Sequence, residues 1–356
     1  MYSSRLSHTK PYVPGEQPRD RRYVKLNTNE NPYPPSPKVG ELLRNYDLDG
    51  LRRYPDPLFY ELRSAAAGRY GLDETNVFAG NGSDEILSFS FFAFFDKSVA
   101  FASPSYSFYP TYCDFYGIRG VAVPLDEGNG IDLEDIAGRS DVDGIVVTNP
   151  NSPTGTCLEY ERIESVMETY PRDRVVVIDE AYIAFGGTSV VPLVEQYDNL
   201  LVVHTFSKWA SLAGLRLGLA FGNVALIDAL FRTKDSFNSY PVHDIAQRIG
   251  VAALADSAYY EAICAQIAAT REKTTSRLES TGWSVAPSKA NFIFVRHPTL
   301  SGKLVYETLK ANGVLVRHFD SPELAEYLRI SIGTDREMDR CIDELERIKS
   351  INGSGA

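Results

Sequence analysis

Short apolar runs, each closed by a cluster of polar residues, punctuate the first two thirds of the chain. Val77-Phe78 leads into AGNGSDE (79–85) and Val99-Ala100-Phe101 into SPSY (103–106). GIVVT (144–148) leads into NPNSPTG (149–155), RVVVI (174–178) into DEAY (179–182), and LLVV (200–203) into TFSK (205–208). Unbroken apolar runs bounded by turn formers read as buried strands. Helical spacing intervenes over Pro37–Asn45, Tyr60–Tyr70, from Ile86 onward and over Glu159–Tyr170. Strands alternating with helices predict an α/β architecture with a doubly wound, mostly parallel sheet. Such sheets bind ligands at the carboxyl ends of their strands. Every polar cluster above lies at such an end, so the clusters should converge.

From about Asp235 the pattern changes. An alanine-rich helical region, Asp244 to Leu278, with breaks, precedes short strands at Trp283–Val285, Asn291–Val295, Val314–Val316 and Tyr327–Ile332. Helices over Lys303–Asn312 and Asp335–Ile351 alternate with them, which predicts a smaller α+β C-terminal domain. The proline-rich opening (Pro11, Pro14, Pro18, then NTNENPYPPSP) predicts an arm without regular structure lying over another surface. The expected division is 1–35 for the arm, 36–235 for the large domain and 236–356 for the small one, with Ile351 to Ala356 a frayed tail.

Composition narrows the functions. A chain of 356 residues suits two packed units, and 44% apolar with 23% charged residues is ordinary for a soluble protein. The net charge of -11 argues against a nucleic-acid partner, which would want a basic face. The four cysteines, Cys113, Cys157, Cys264 and Cys341, are dispersed and form no CxxC pair, so they read as free thiols in a reducing compartment. MYSSRLSHTK lacks the apolar core of a signal peptide, and the apolar stretch Ile86–Phe95 is too short to span a bilayer. A cytoplasmic protein with no membrane partner and no bound metal is expected.

The converging groups have a joint chemistry. Lys208 follows a buried strand, where partial desolvation lowers a lysine pKa towards the nucleophilic range and prepares it to take up an aldehyde. Asp179 closes an all-apolar strand, where a carboxylate needs a cationic partner, and a protonated pyridine nitrogen would serve. Ser207, Arg216 and the turn Gly80–Asp84 at a helix start offer an anion site. Tyr106 offers an aromatic face, and Asn151 and Tyr182 hydrogen bonds to a phenolate. Each has a plainer explanation: a solvated loop lysine, Ser83 or Asp84 as an N-cap, Asp179 as a cap or surface acid, Arg216 as an ion-pair partner, two tyrosines among 21. Together, on successive strand ends, they are the groups pyridoxal phosphate needs.

The motifs NENP (29–32), RRYPDP (52–57), GNGSDE (80–85), PSYSFY (104–109), NPNSPTG (149–155), DEAY (179–182), TFSKWASLAGLRLG (205–218), SKANFIFV (288–295) and LRISIGT (328–334) carry a resemblance that spans nearly the whole chain. The sequence resembles the fold-type I pyridoxal-phosphate enzymes and, among them, most closely the histidinol-phosphate aminotransferases. Aromatic aminotransferases and threonine-phosphate decarboxylases share many of these motifs. The resemblance implies Lys208 as the residue forming the internal aldimine and shuttling protons, with Asp179 at the pyridine nitrogen. It implies Tyr106 stacked on the ring, Asn151 and Tyr182 at the ring hydroxyl, and Ser207, Arg216 and the backbone of Ser83 and Asp84 around the phosphate. Ser152 stands where many relatives have a second Asn, which leaves the register between Asn151 and Ser152 open. Tyr54 would reach the phosphate of the neighbouring subunit, implying a homodimer with shared sites. Arg329 and Arg317 would bind the anionic ends of a phosphorylated amino alcohol and of glutamate or 2-oxoglutarate, with Tyr12 and Asn291 completing the pocket. A binding protein that keeps the fold without turnover is the alternative from outside enzymology.

Overall fold

The computed structural model describes Leu6 and residues 9–352. Its first strand, β1 (Val24–Lys25), falls inside the segment expected to lack regular structure. No proline falls between Pro18 and Pro32, which leaves residues 21–26 free to pair. Val24 N–H donates to Gly313 O and Leu26 N–H to Leu315 O, so the arm adds a strand beside the C-terminal body and buries Leu26 there.

Seven strands form the central sheet: β2 (Val77–Gly80), β3 (Ser98–Ser103), β4 (Arg119–Pro124), β5 (Gly144–Thr148), β6 (Val175–Asp179), β7 (Leu200–Thr205) and β8 (Gly218–Gly222). Their order is β2-β8-β7-β6-β5-β3-β4, and only β8 runs antiparallel to its neighbours. This is the mostly parallel sheet that the apolar runs predict. Its strands are covered on both faces, as the unbroken Val, Ile and Leu content requires. Two strands escaped the sequence pattern for opposite reasons. β4 sits on the sheet edge with mostly exposed or half-buried positions, so it carries no apolar run. β8 is bounded by glycines that read as loop, yet it is buried throughout because Gly218 and Gly222 let neighbouring backbone and side chains approach closely.

Two helices, Asp244–Leu254 and Ser257–Ser280, occupy the alanine-rich region, and the chain breaks between them at Ala255-Asp256. A second core gathers around strands β9 (Ser284–Val285), β10 (Phe292–Arg296), β11 (Val314–Leu315), β12 (Arg317–His318) and β13 (Leu328–Ser331), of which β12-β13-β10-β9 form one antiparallel sheet. The closing helix Asp335–Asn352 includes Ile351, and residues 353–356 of the expected tail lie outside the described residues.

Candidate active site

The parallel strands end in register. Thr148 is the Cα partner of Asp179, and Asp179 of Val203, so three polar loops open at one level above the sheet. They frame a cavity of about 460 Å³ between the two cores. Asp179 lies in its floor, 3% exposed, with its carboxylate accepting from the Ala181 N–H at 3.2 Å and from the Tyr109 hydroxyl at 3.2 Å. No lysine or arginine is paired with it among the described residues. Burial therefore pushes its pKa up to about 7, with the nearby charges of Asp84 and Glu180 adding to the rise.

One wall is an anion cradle. The turn after β2 places Gly82 at φ +82°, and the helix Ser83–Phe94 starts with Gly82 at the N-cap and no side-chain cap. Neither Ser83 nor Asp84 caps it, so its first N–H groups and the positive end of its dipole face the cavity. The Arg216 guanidinium closes over this turn, donating to Asp84 Oδ2 at 2.9 Å and to the Ser207 hydroxyl at 3.4 Å. Tyr106 donates to the other Asp84 oxygen at 2.6 Å, which fixes its ring at the cavity edge. A Cβ on Gly218 would lie 2.7 Å from Gly82 C and Ser83 N, so the close approach of β8 to the turn requires glycine.

The opposite wall carries the amine. Lys208 Nζ donates to Thr28 O at 3.2 Å and lies 5.7 Å from the centre of the Tyr182 ring. Asn31 holds the Lys208 loop by donating to its carbonyl at 3.1 Å. The Tyr182 hydroxyl accepts from Asn29 Nδ2 at 3.1 Å, and the Asn29 carbonyl accepts from Asn291 at 2.9 Å. Asn291 thus lies behind the site and supports Tyr182 through Asn29, while Tyr12 lines the cavity, its ring stacked on Phe108.

Arg317 and Arg329 both reach the cavity, beside Phe319. Arg329 is deeply set: it donates to Ser152 Oγ at 3.2 Å and Asn27 O at 3.0 Å, its Nε has no partner, and burial lowers its pKa. Ser152 lines the cavity, whereas the Asn151 amide is engaged behind it by Ser105, Pro104 and Thr154. Tyr54 stands away from this cavity, 82% exposed and stacked on Tyr240.

Most residues expected at the site therefore meet in one space. Thr28, Asn29, Thr148 and Tyr109 belong to the site as well, although no local pattern assigns them a role. NENP and PSYSFY mark the two that lie in motifs, Asn29 and Tyr109, but only their partners across the fold give them a task. The residues fit pyridoxal phosphate: an uncapped helix start with Arg216 for its phosphate, a buried carboxylate lacking a cation for its ring nitrogen, and a lysine for its aldehyde.

Comparison with known proteins agrees with this geometry. The profile of the family Aminotransferase class I and II matches residues 21–345. A histidinol-phosphate aminotransferase of Syntrophus aciditrophicus is 52% identical over 353 residues, covering 98% of each chain. That of Chromohalobacter salexigens is 50% identical, covering 98% of this chain and 99% of its own. Among solved structures, the histidinol-phosphate aminotransferase of Sinorhizobium meliloti in complex with pyridoxal-5'-phosphate superposes with a TM-score of 0.84 at 25% identity, covering 93% of this chain and 92% of that one. No helix among the described residues is long and apolar enough to cross a membrane.

Proposed function

Because the chain belongs to the class I and II aminotransferases, which work with pyridoxal phosphate, we propose that it is a histidinol-phosphate aminotransferase of histidine biosynthesis. It would exchange an amino group between histidinol phosphate and 2-oxoglutarate, yielding imidazole-acetol phosphate and glutamate, in two half reactions. The observation that carries this reading is the single cavity in which Lys208, Asp179 and the pair Arg317 and Arg329 face one another. Relatives of that name at about half identity over almost the full length support the choice of substrate.

The cofactor supplies an aldehyde that takes up the amino group and a ring that accepts electrons when a bond to the substrate Cα breaks. In this reading Lys208 tethers it and, once displaced, moves a proton at Nζ as general base and acid. Asp179 faces the ring nitrogen, and Tyr106 covers the ring. Tyr182 and Ser152 stand towards the ring hydroxyl, and Asn151, held by Ser105, Pro104 and Thr154, supports the loop behind Ser152. The first N–H groups at Ser83 and Asp84, with Ser207 and Arg216, bind the phosphate. Arg329 and Arg317 orient the substrate's anionic groups through charge-assisted hydrogen bonds, and Tyr12 closes the pocket over them. Asn291 supports the wall through Asn29.

The reading includes a homodimer in the cytoplasm, with Tyr54 reaching the partner's phosphate site. The exposed apolar side chains Leu48, Leu51, Tyr54, Leu58 and Phe237 support such an interface. It also includes a division of labour between residues 36–235, which carry the cofactor site, and 236–356, which bring Arg317 and Arg329.

A half-reaction assay tests the proposal. Glutamate should convert the bound cofactor to its amine form, and imidazole-acetol phosphate should return it to the aldehyde form. Loss of carbon dioxide from a phosphorylated amino acid, or restoration only by aromatic keto acids, would replace this substrate assignment. Protein that binds the cofactor without turnover would replace the enzyme.

A further inference from the structure

Tyr109 has no part in the reading above, yet its hydroxyl is the one described side-chain donor to Asp179. Its ring is fully buried among Phe91, Phe101 and Tyr106 on the helix Phe108–Tyr116, so the hydroxyl has few directions open to it. It lies 2.6 Å from Thr148 Oγ1 and 3.2 Å from Asp179 Oδ2.

We infer that Tyr109, with Thr148 behind it, is a positioning residue that holds Asp179 in its ionised form opposite the cofactor's ring nitrogen. The inference rests on the role given to Asp179 above.

Counting protons fixes the direction of the chain. Ser105 Oγ has one hydrogen, and Asn151 Oδ1 takes it at 2.7 Å, a better partner than Thr148 at 3.4 Å. Thr148 is then free to donate to the Tyr109 oxygen, and an ionised carboxylate can only accept. The order Thr148 to Tyr109 to Asp179 follows. Each donor is polarised by the one behind it, and all three side chains are buried. Burial holds the Tyr109 phenol far above its ordinary pKa, so it stays a neutral donor and never becomes a second negative charge beside the carboxylate.

The other ionisable groups near Asp179 have partners of their own. Asp84 is engaged by Arg216 and Tyr106, Glu180 by His204 and Ser189, and the Tyr112 hydroxyl donates to Asp84 O. Lys208, across the cavity, donates to Thr28 O. None of them donates to an Asp179 oxygen, so the side-chain hydrogen bond that favours its charged form comes from Tyr109.

The test is the 15N chemical shift of the ring nitrogen in holoenzyme loaded with 15N-labelled pyridoxal phosphate, followed against pH. In the wild type the nitrogen should be protonated through neutral pH. Tyr109→Phe, which keeps the ring and removes the donor, should lower the nitrogen's proton affinity about 10- to 100-fold, moving its titration one to two pH units down. Thr148→Val should move it the same way by less. A fluorinated tyrosine at 109, a stronger donor, should move it up, a sign that a merely structural role would not produce. If Tyr109→Phe does not fold, Thr148→Val and the fluorinated protein decide between the outcomes. A protonated wild-type nitrogen that none of these changes shifts would overturn the inference alone. An unprotonated nitrogen in the wild type would overturn the role of Asp179 and this inference with it.

Discussion

Arg317 and Arg329 are direct cross-strand partners in β12 and β13, and both reach the wall of the Lys208 cavity. Like charges placed opposite each other on one sheet destabilise it. The Phe319 ring, 5.5 Å from the Arg317 guanidinium and 5.7 Å from that of Arg329, relieves part of the repulsion. Arg317 leans on the carbonyls of Val13 and Pro14, and Arg329 keeps an unpaired Nε in a buried site. An anion bound between them would satisfy both charges.

That pairing gives the first prediction. Arg317→Ala should raise KM for a phosphorylated acceptor about 10- to 100-fold, the size of one lost charge-assisted contact, and should change KM for an unphosphorylated aromatic keto acid little. Arg329→Ala should weaken every carboxylate- or phosphate-bearing substrate. Steady-state kinetics on a panel of both kinds checks this, and an equal loss on all substrates with Arg317→Ala would refute the division.

Asp179 predicts a pH signature in cofactor-free protein. Its folded pKa of about 7 lies above the ordinary 3.8, so the stability it contributes is fully present below pH 3.8 and is lost as pH rises through 7. At pH 8 the buried charge then costs on the order of a few kcal/mol. Asp179→Asn, neutral at every pH, should raise the melting temperature of cofactor-free protein at pH 8 and leave it nearly unchanged near pH 4. With pyridoxal phosphate present the order should reverse, because the pyridinium cation stabilises the aspartate and not the asparagine. Melting curves at the two pH values, with and without cofactor, check both signs.

The cradle predicts that Gly218→Ala is costly beyond its size. Overpacking against the Gly82–Ser83 backbone should lower stability by about 1–3 kcal/mol. By shifting the helix start it should also weaken cofactor binding at least ~10-fold, the effect of losing one charge-assisted hydrogen bond to phosphate. Gly68→Ala, where a Cβ meets nothing within 4 Å, should leave cofactor affinity alone. Urea unfolding and cofactor titration of the two variants separate these effects, and unchanged binding in Gly218→Ala would contradict the packing argument.

A shared site predicts complementation. Lys208→Ala should leave no borohydride-stable cofactor label at that peptide and, with the general base gone, should lower turnover at least ~10²- to 10⁴-fold. Tyr54→Ala should lose cofactor affinity. If Tyr54 serves the partner's site, co-refolding the two inactive variants creates hybrid dimers with one complete site, and activity should return. Failure to recover activity from verified hybrids would place Tyr54 outside the partner's site.

The residues legible in the sequence share one property: their role follows from their place along the chain. Asp179 closes a buried strand and Lys208 and the GNGSDE turn lie at the ends of two others, so strand and loop alone put them on the same side of a mostly parallel sheet. Gly82, rather than Ser83 or Asp84, takes the N-cap, because the turn enters the helix at a φ of +82° that glycine adopts readily.

The sequence by itself determined the sheet, its carboxyl-end site and the choice of a lysine, an acid and an anion cradle, because burial and strand direction are written in apolar runs and their polar ends. Tertiary structure alone decided which groups touch. It brought Tyr109 to Asp179 across 70 positions, set Arg317 opposite Arg329, moved Asn291 behind Asn29, and drew Val24 and Lys25 into a strand. Hydrogen bonds form over about 3 Å, and such precision comes from strand register and side-chain packing, which no local pattern encodes.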